Sequence, residues 1–333
     1  MTMYSEEDLA SAVAAGVMSD EAANALRAHV GQLRKAPAVD EEHFRLITGF
    51  NDIFVVIACA LLLASLAGIG ASFAAWFGAL CVAVAAWLLA EFFTRKRRMA
   101  LPSIVLLLAF VGGVVATVFF MLPTQSSGGF AAGSAIGAMA ACLHWWRFRV
   151  PITVAAGAAA VVGCAFALLL QVLPQSSAWM NAVAFVAGLV VFGLAMRWDS
   201  SDTLRLTRRS DVAFWLHLLA APLIVHPIFT ALGVTHGQVN AGQAIAVVAL
   251  YVAIALVSLA ADRRALMVSA LTYVLFAFSA VLQQVGVVSL GFAITALAIG
   301  AALLLLSAFW HPTRAWVLGF LPPGVQGRLA PFR

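Results

Sequence analysis

Charge is what this sequence most lacks: of 333 residues only 10% are Asp, Glu, Lys or Arg, while 64% are hydrophobic. A soluble domain carries about 25% charged residues, so water is not the main solvent of this chain. Alternation is missing too. The apolar runs are solid rather than alternating, which excludes a membrane β-barrel and leaves helices, whose backbone groups pair within each segment. Cysteine is scarce: Cys59, Cys81, Cys142 and Cys164 stand singly inside apolar runs, with no CxxC or His/Cys spacing. No metal site, redox site or cofactor is expected from them, only packing as small hydrophobes. The start of the chain lacks the basic n-region of a secretory signal. It opens acidic, at Glu6, Glu7 and Asp8, with no Lys or Arg before Arg27, so the first fifty residues are expected to stay on the side where they are made.

Apolar runs, by contrast, are abundant. About 20 apolar residues cross a hydrocarbon core about 30 Å thick. Runs of that length lie near 52–70, 73–93, 101–121, 129–146, 151–172, 178–196, 212–232, 242–260, 265–285 and 288–309. The expected fold is therefore all-α: a polytopic membrane protein of about ten transmembrane helices. Its parts are a helical head over 1–50, a transmembrane bundle over 51–310, and an interfacial tail over 311–333.

Basic residues are missing from alternate loops, and this absence orients the chain. PTQSSGG (123–129) and GVTHGQVNAGQ (233–243) contain no Lys or Arg. All nineteen lie before the first span or after the second (TRKRR, 94–98), fourth (Arg147, Arg149), sixth (Arg197 to Arg209), eighth (Arg263, Arg264) and tenth. Lys and Arg in short loops mark the cytoplasmic side, so both termini are expected in the cytoplasm of a bacterial inner membrane. The net charge of +5 follows from this asymmetry and does not argue for nucleic acid; the basic loops suit anionic lipid headgroups. AWVLGFLPPG (315–324) is too short to cross and reads as an interfacial anchor.

Two segments resemble each other. PSIVLLLAFVGGVVATVFFMLPTQSS starts at Pro102 and PITVAAGAAAVVGCAFALLLQVLPQSS at Pro151. Both suggest a duplicated hairpin, over 101–149 and 150–198. Along the fourth span Gly129, Gly133, Gly137 and Ala141 form a small-residue stripe, which suits close helix packing. The same stripe would also serve a contact between two copies.

The head reads as short helices. Ser5 and Asp8 suit an N-terminal cap, Gly16 a left-handed stop and Ser19 the cap of a second helix carrying Ala22, Leu26, Val30 and Leu33; a third short helix is expected from Asp40. Helices this short bury no core of their own, so the head is expected to lean on a partner protein or a surface. LASAVAAGVMSDEAANAL (9–26), followed by many apolar spans, resembles the bacterial membrane proteins with a DUF2157-type N-terminal region and is similar to their DUF4401 relatives. The resemblance covers about the first seventy residues and carries over no functional residue.

Polar groups at membrane depth are few. FWLHLLAAPLIVHPIF (214–229) places His217 and His226 with Pro222 and Pro227 in one span. Nine residues put the histidines about 180° apart on a helix, so they cannot share a metal. His226 either satisfies carbonyls freed by the prolines or lines a polar cavity; with Asn181, Gln283 and Gln284 toward the outer ends it makes the candidate substrate site. His217, near the inner interface, is read as structural, and Glu91 as pairing beside TRKRR. No carboxylate is expected near the midplane, and neither a nucleophile–base set nor a metal cluster is legible, which argues against an enzyme. The favoured reading is a non-enzymatic membrane module whose head binds a partner, with a carrier for a neutral or amphipathic solute as the alternative.

Overall fold

A run of about twenty apolar residues must satisfy its own backbone in a bilayer, and a helix does this. The computed structural model describes residues 6–26, 50–122, 126–172, 177–203, 205, 207–233, 241–263, 309–327 and 329, with isolated positions between 267 and 301. Among the described residues every regular element is helical. The chain divides into two compact units, Met1–Arg45 and Leu46–Arg333.

In the first unit α1 spans Glu6–Ala14. Gly16 ends it at φ 69°, where glycine meets no Cβ penalty. Val17 N–H donates to Ala12 O at 2.9 Å and Gly16 N–H to Val13 O at 3.0 Å, a Schellman closure. The Ser19 hydroxyl then accepts from Ala22 N–H at 3.2 Å and caps the helix over residues 20–26. The third head helix expected near Asp40 lies outside the described residues.

The second unit holds α2 (Phe50–Ala71), α3 (Ala75–Ala90) with a π-helical continuation (Glu91–Lys96), α4 (Ala100–Met121), α5 (Ser127–Phe148) and α6 (Ile152–Val172). It continues with α7 (Ser177–Ser200), α8 (Arg208–Ala231), α9 (Ala241–Ala261), α10 (Trp310–Gly319) and the short α11 (Pro323–Gln326). Six of them, α2, α3 with its continuation, α4, α6, α7 and α8, are long and apolar enough to cross a membrane. This is an α-helical membrane protein. The 22-residue α5 matches them in length, but its glycines, His144 and Arg147 dilute its hydropathy. The spans expected over 265–285 and 288–309 lie almost wholly outside the described residues.

Helices adjacent in sequence pack on one another from α2 to α6, and α8 packs on both α7 and α6. In the first of the two similar hairpins α4 packs closely on α5; in the second, α6 and α7 share little contact, and α7 instead leans on α8. Small residues set the separations. Gly129, Gly133, Gly137 and Ala141 are all buried. A Cβ on Gly133 would lie 2.7 Å from Val115 O, and one on Gly137 2.5 Å from Val115 Cγ2, so the middle of the stripe lies against α4, while Ala141 Cβ would stand 3.4 Å from a Cβ on Gly157 of α6. At Gly188 of α7 a Cβ would come within 2.9 Å of both Leu223 C and Ile224 N. The α6–α7–α8 core gathers Ala155, Val191, Ala195, Val212, Leu216 and Ala220.

Among the described residues four non-glycine residues take left-handed backbone: Arg98 (φ 52°), Arg149 (φ 56°), Arg205 (φ 55°) and Asp262 (φ 57°). That conformation costs an L-residue about 1–2 kcal/mol, so each must be held by something.

Candidate functional site

The buried polar chemistry of the larger unit gathers at one end of α7 and α8. Asp199, in the last turn of α7, receives the Nε2–H of His217 at 2.9 Å and Arg263 Nε at 3.1 Å on Oδ2. Arg263 Nη2 donates to Oδ1, completing a fork–fork pair, and also reaches Ser210 O at 3.2 Å and Ser210 Oγ at 3.1 Å. His217 is wholly buried, and the side chains of Arg263 and Asp199 are 3% and 11% exposed. A carboxylate has only acceptors to offer, so Nε2 carries the hydrogen. Among the described residues His217 Nδ1 has no hydrogen-bond partner.

The residue just before Arg263 holds a second knot. Asp262 Oδ2 pairs with Arg205 Nη1 at 2.8 Å, and Oδ1 accepts Trp310 Nε1–H at 2.8 Å with Arg314 Nε 3.5 Å away. Arg205 Nη2 also donates to Asp262 O at 3.1 Å. These bonds hold Arg205 and Asp262 in their left-handed conformations. Asp202 Oδ2 takes Thr207 N–H at 2.9 Å and its hydroxyl at 2.7 Å, and Thr207 in turn caps α8. The two consecutive residues Asp262 and Arg263 thus tie the end of α9, and α10 with it, to the α7–α8 hairpin. A cleft of about 220 Å³, its open mouth included, lies over the knot between Met196, Asp199, Asp202, Arg205 and Ala261.

A second cluster lies where α3 and α5 end. Glu91, first residue of the π-helical stretch, accepts Arg147 Nε at 2.8 Å and Nη2 at 2.9 Å, and Arg95 at 3.3 Å. Its closest partner is thus on another helix rather than in the adjoining TRKRR. Beside it His144 is wholly buried, with Nδ1 3.2 Å from Thr153 Oγ1 and its ring among Trp87, Phe110 and Phe148.

Pro222 and His226 stand on the exposed face of α8, Pro227 is buried, and Asn181 on α7 is half-buried. Gln283 and Gln284 lie outside the described residues. The helix runs unbroken through both prolines, and Gly188 lets α7 approach where Pro227 leaves Leu223 O without its helical donor. Cys142 is exposed on α5, while Cys59 is buried.

His217, read as structural, lies at the centre of this buried knot. A signal for it existed in Ala213, Ala220 and Ala221, small residues at helical spacing around His217 that mark the inward face of α8. Three acids beside span ends, Glu91, Asp199 and Asp262, were a second signal. No family model matches this chain, and comparison with curated proteins and with solved structures finds no match either.

Proposed function

We propose that this chain is a non-enzymatic inner-membrane module of about ten spans, with both termini cytoplasmic, whose bundle anchors a head that binds a protein partner. The observation that carries this reading is that the buried charges are spent on one another. Asp199, Arg263 and Asp262 each meet groups from other segments, which suits a rigid platform. The cleft beside them encloses only about 10 Å³, far below the roughly 300–1,000 Å³ of ordinary ligand pockets. The head supports a partner because it leaves apolar side chains uncovered: Val17 is 81% exposed and Leu26 38%. The bilayer and the anionic headgroups facing the basic loops complete the expected surroundings.

Deleting residues 1–40 should leave insertion intact, since the span and charge signals lie downstream. It should also abolish complementation of a strain lacking the protein. Site-specific photo-crosslinking from position 17 should give one discrete protein adduct. A headless chain that complements fully, with no adduct at position 17, would favour a carrier for a neutral or amphipathic solute.

Orientation has its own test. Ser200 is exposed beside Asp199, and Ser200→Cys should react with a membrane-impermeant thiol reagent only after the cells are permeabilised. Labelling in intact cells would reverse the orientation.

A further inference from the structure

Left-handed backbone beyond a helix end is the place of glycine, and the chain uses glycine there after α1 and α8, at Gly16 and Gly233. Among the described residues, three of the four other left-handed ones are arginines. Arg205 has an internal reason, its pairing with Asp262. At Arg98 and Arg149 the backbone closes a helix end, with Arg149 N–H on Trp145 O at 3.0 Å and Met99 N–H on Phe93 O at 3.0 Å, but both side chains are exposed, and among the described residues no carboxylate pairs with either. A cation kept where glycine would close the helix end without strain, and with no carboxylate of the chain beside it, suits an anion from outside.

The two arginines belong to adjoining turns. The bidentate Glu91 to Arg147 pair clamps the turn after α3 to the end of α5, and Trp87 meets Phe148 at 5.0 Å between ring centroids. The joint surface carries Arg95, Lys96, Arg97, Arg98, Arg147 and Arg149, while Glu91 is already engaged by Arg147 and Arg95. Beside these cations large rings are uncovered: Trp146 is 73% exposed and Phe92 43%. Arg97 lies over the Phe92 ring at 5.6 Å and Arg149 over Trp145 at 5.9 Å, so the guanidinium planes are supported on one side. Planar forks match phosphate oxygens, and Trp and Phe beneath them suit the glycerol and upper acyl region.

We propose that the turns at 95–98 and 147–149 form one binding site for an anionic phospholipid headgroup, with Arg98 and Arg149 as its phosphate-binding residues. The site rests on the proposed orientation, which turns this surface toward the anionic leaflet.

The test is thermal unfolding of the full chain in a neutral detergent, with phosphatidylglycerol, phosphatidylcholine or soluble glycerol phosphate added. Wild type should be stabilised by phosphatidylglycerol and by neither of the others. The double variant Arg98→Gly/Arg149→Gly, relieved of backbone strain, should melt no lower than wild type without lipid yet lose most of the phosphatidylglycerol shift. Arg98→Asn/Arg149→Asn, which also tolerates the left-handed region, should do the same and serves if the glycine pair folds poorly. The control Arg197→Gln/Arg208→Gln removes two exposed cations elsewhere and should keep the shift. The proposal is overturned if either 98/149 pair keeps the wild-type lipid shift, because the arginines then serve only the helix ends. It is equally overturned if the control loses as much, or if glycerol phosphate stabilises as well as the lipid. Detergent has no sides, so a failed orientation test and a failed lipid test are told apart.

Discussion

Asp199→Ala should destabilise the protein by about 3–5 kcal/mol, because it strands a buried cation. Arg263 would keep only Ser210 for its guanidinium, at 3.1–3.2 Å, and His217 would lose the partner of Nε2. Asp199→Asn should cost nearly as much, since the amide keeps the shape but not the charge. Removing both ends behaves differently: a buried ion pair replaced by apolar groups of similar volume is often neutral. Asp199→Leu/Arg263→Met should therefore recover more than half of the loss. Thermal unfolding of the single and double variants in one detergent forms a double-mutant cycle, and its coupling is the diagnostic quantity. If the single variants were as stable as wild type, water would have to reach this knot and the platform reading would lose its basis.

Gly188→Leu should be the most damaging substitution of a single small residue in α7. Even the first added carbon would stand 2.8 Å from Ile224 Cγ1 and 2.9 Å from Ile224 N and Leu223 C. Two of these are backbone atoms, which no change of rotamer removes. Gly188→Ala already exceeds what the contact allows, and overpacking costs about 1–3 kcal/mol, with leucine beyond that. Gly193 gives the contrast on the same helix: a Cβ there meets nothing within 4 Å. Gly193→Ala should be neutral or stabilising by up to about 1 kcal/mol, the helix preference of alanine over glycine. The two alanine variants, melted side by side, should move in opposite directions. Equal effects would mean that α7 and α8 do not approach at Gly188.

The helices were legible because hydrocarbon imposes one rule, and runs of apolar residues report it directly. Each of the first eight expected spans falls on a helix of the structure. The helices run past the apolar spans where charge begins. The sixth span was expected to stop at 196 and the seventh to start at 212, but α7 continues to Ser200 and α8 starts at Arg208. Asp199 and Ser210 stay helical beyond the apolar run because they pair with Arg263. That pairing is invisible to any local pattern, since 64 positions separate Asp199 from Arg263. Reading Lys and Arg only as marks of sidedness hid the acids they bind. The histidines show the same limit. Their spacing places them on opposite faces, as found, yet spacing alone does not say which face is inward. The prolines drew attention to His226, which is exposed, while the alanines around His217 marked the buried side. The stripe from Gly129 to Ala141 was easier, because small residues at every fourth position have few uses other than close approach.

The Asp199 to Arg263 pair also sets a clock for biosynthesis. A ribosome adding roughly 5–20 residues per second makes the 64 positions between them in about 3–13 s. During that interval α7 is already made and α8 and α9 follow it, while the guanidinium that neutralises Asp199 is still to come. The carboxylate sits in the last turn of its helix rather than midway along it, so during the delay it can remain at the water's edge. The knot is then drawn shut by the arrival of Arg263, which makes the end of α9 the step that commits this half of the bundle to its final packing.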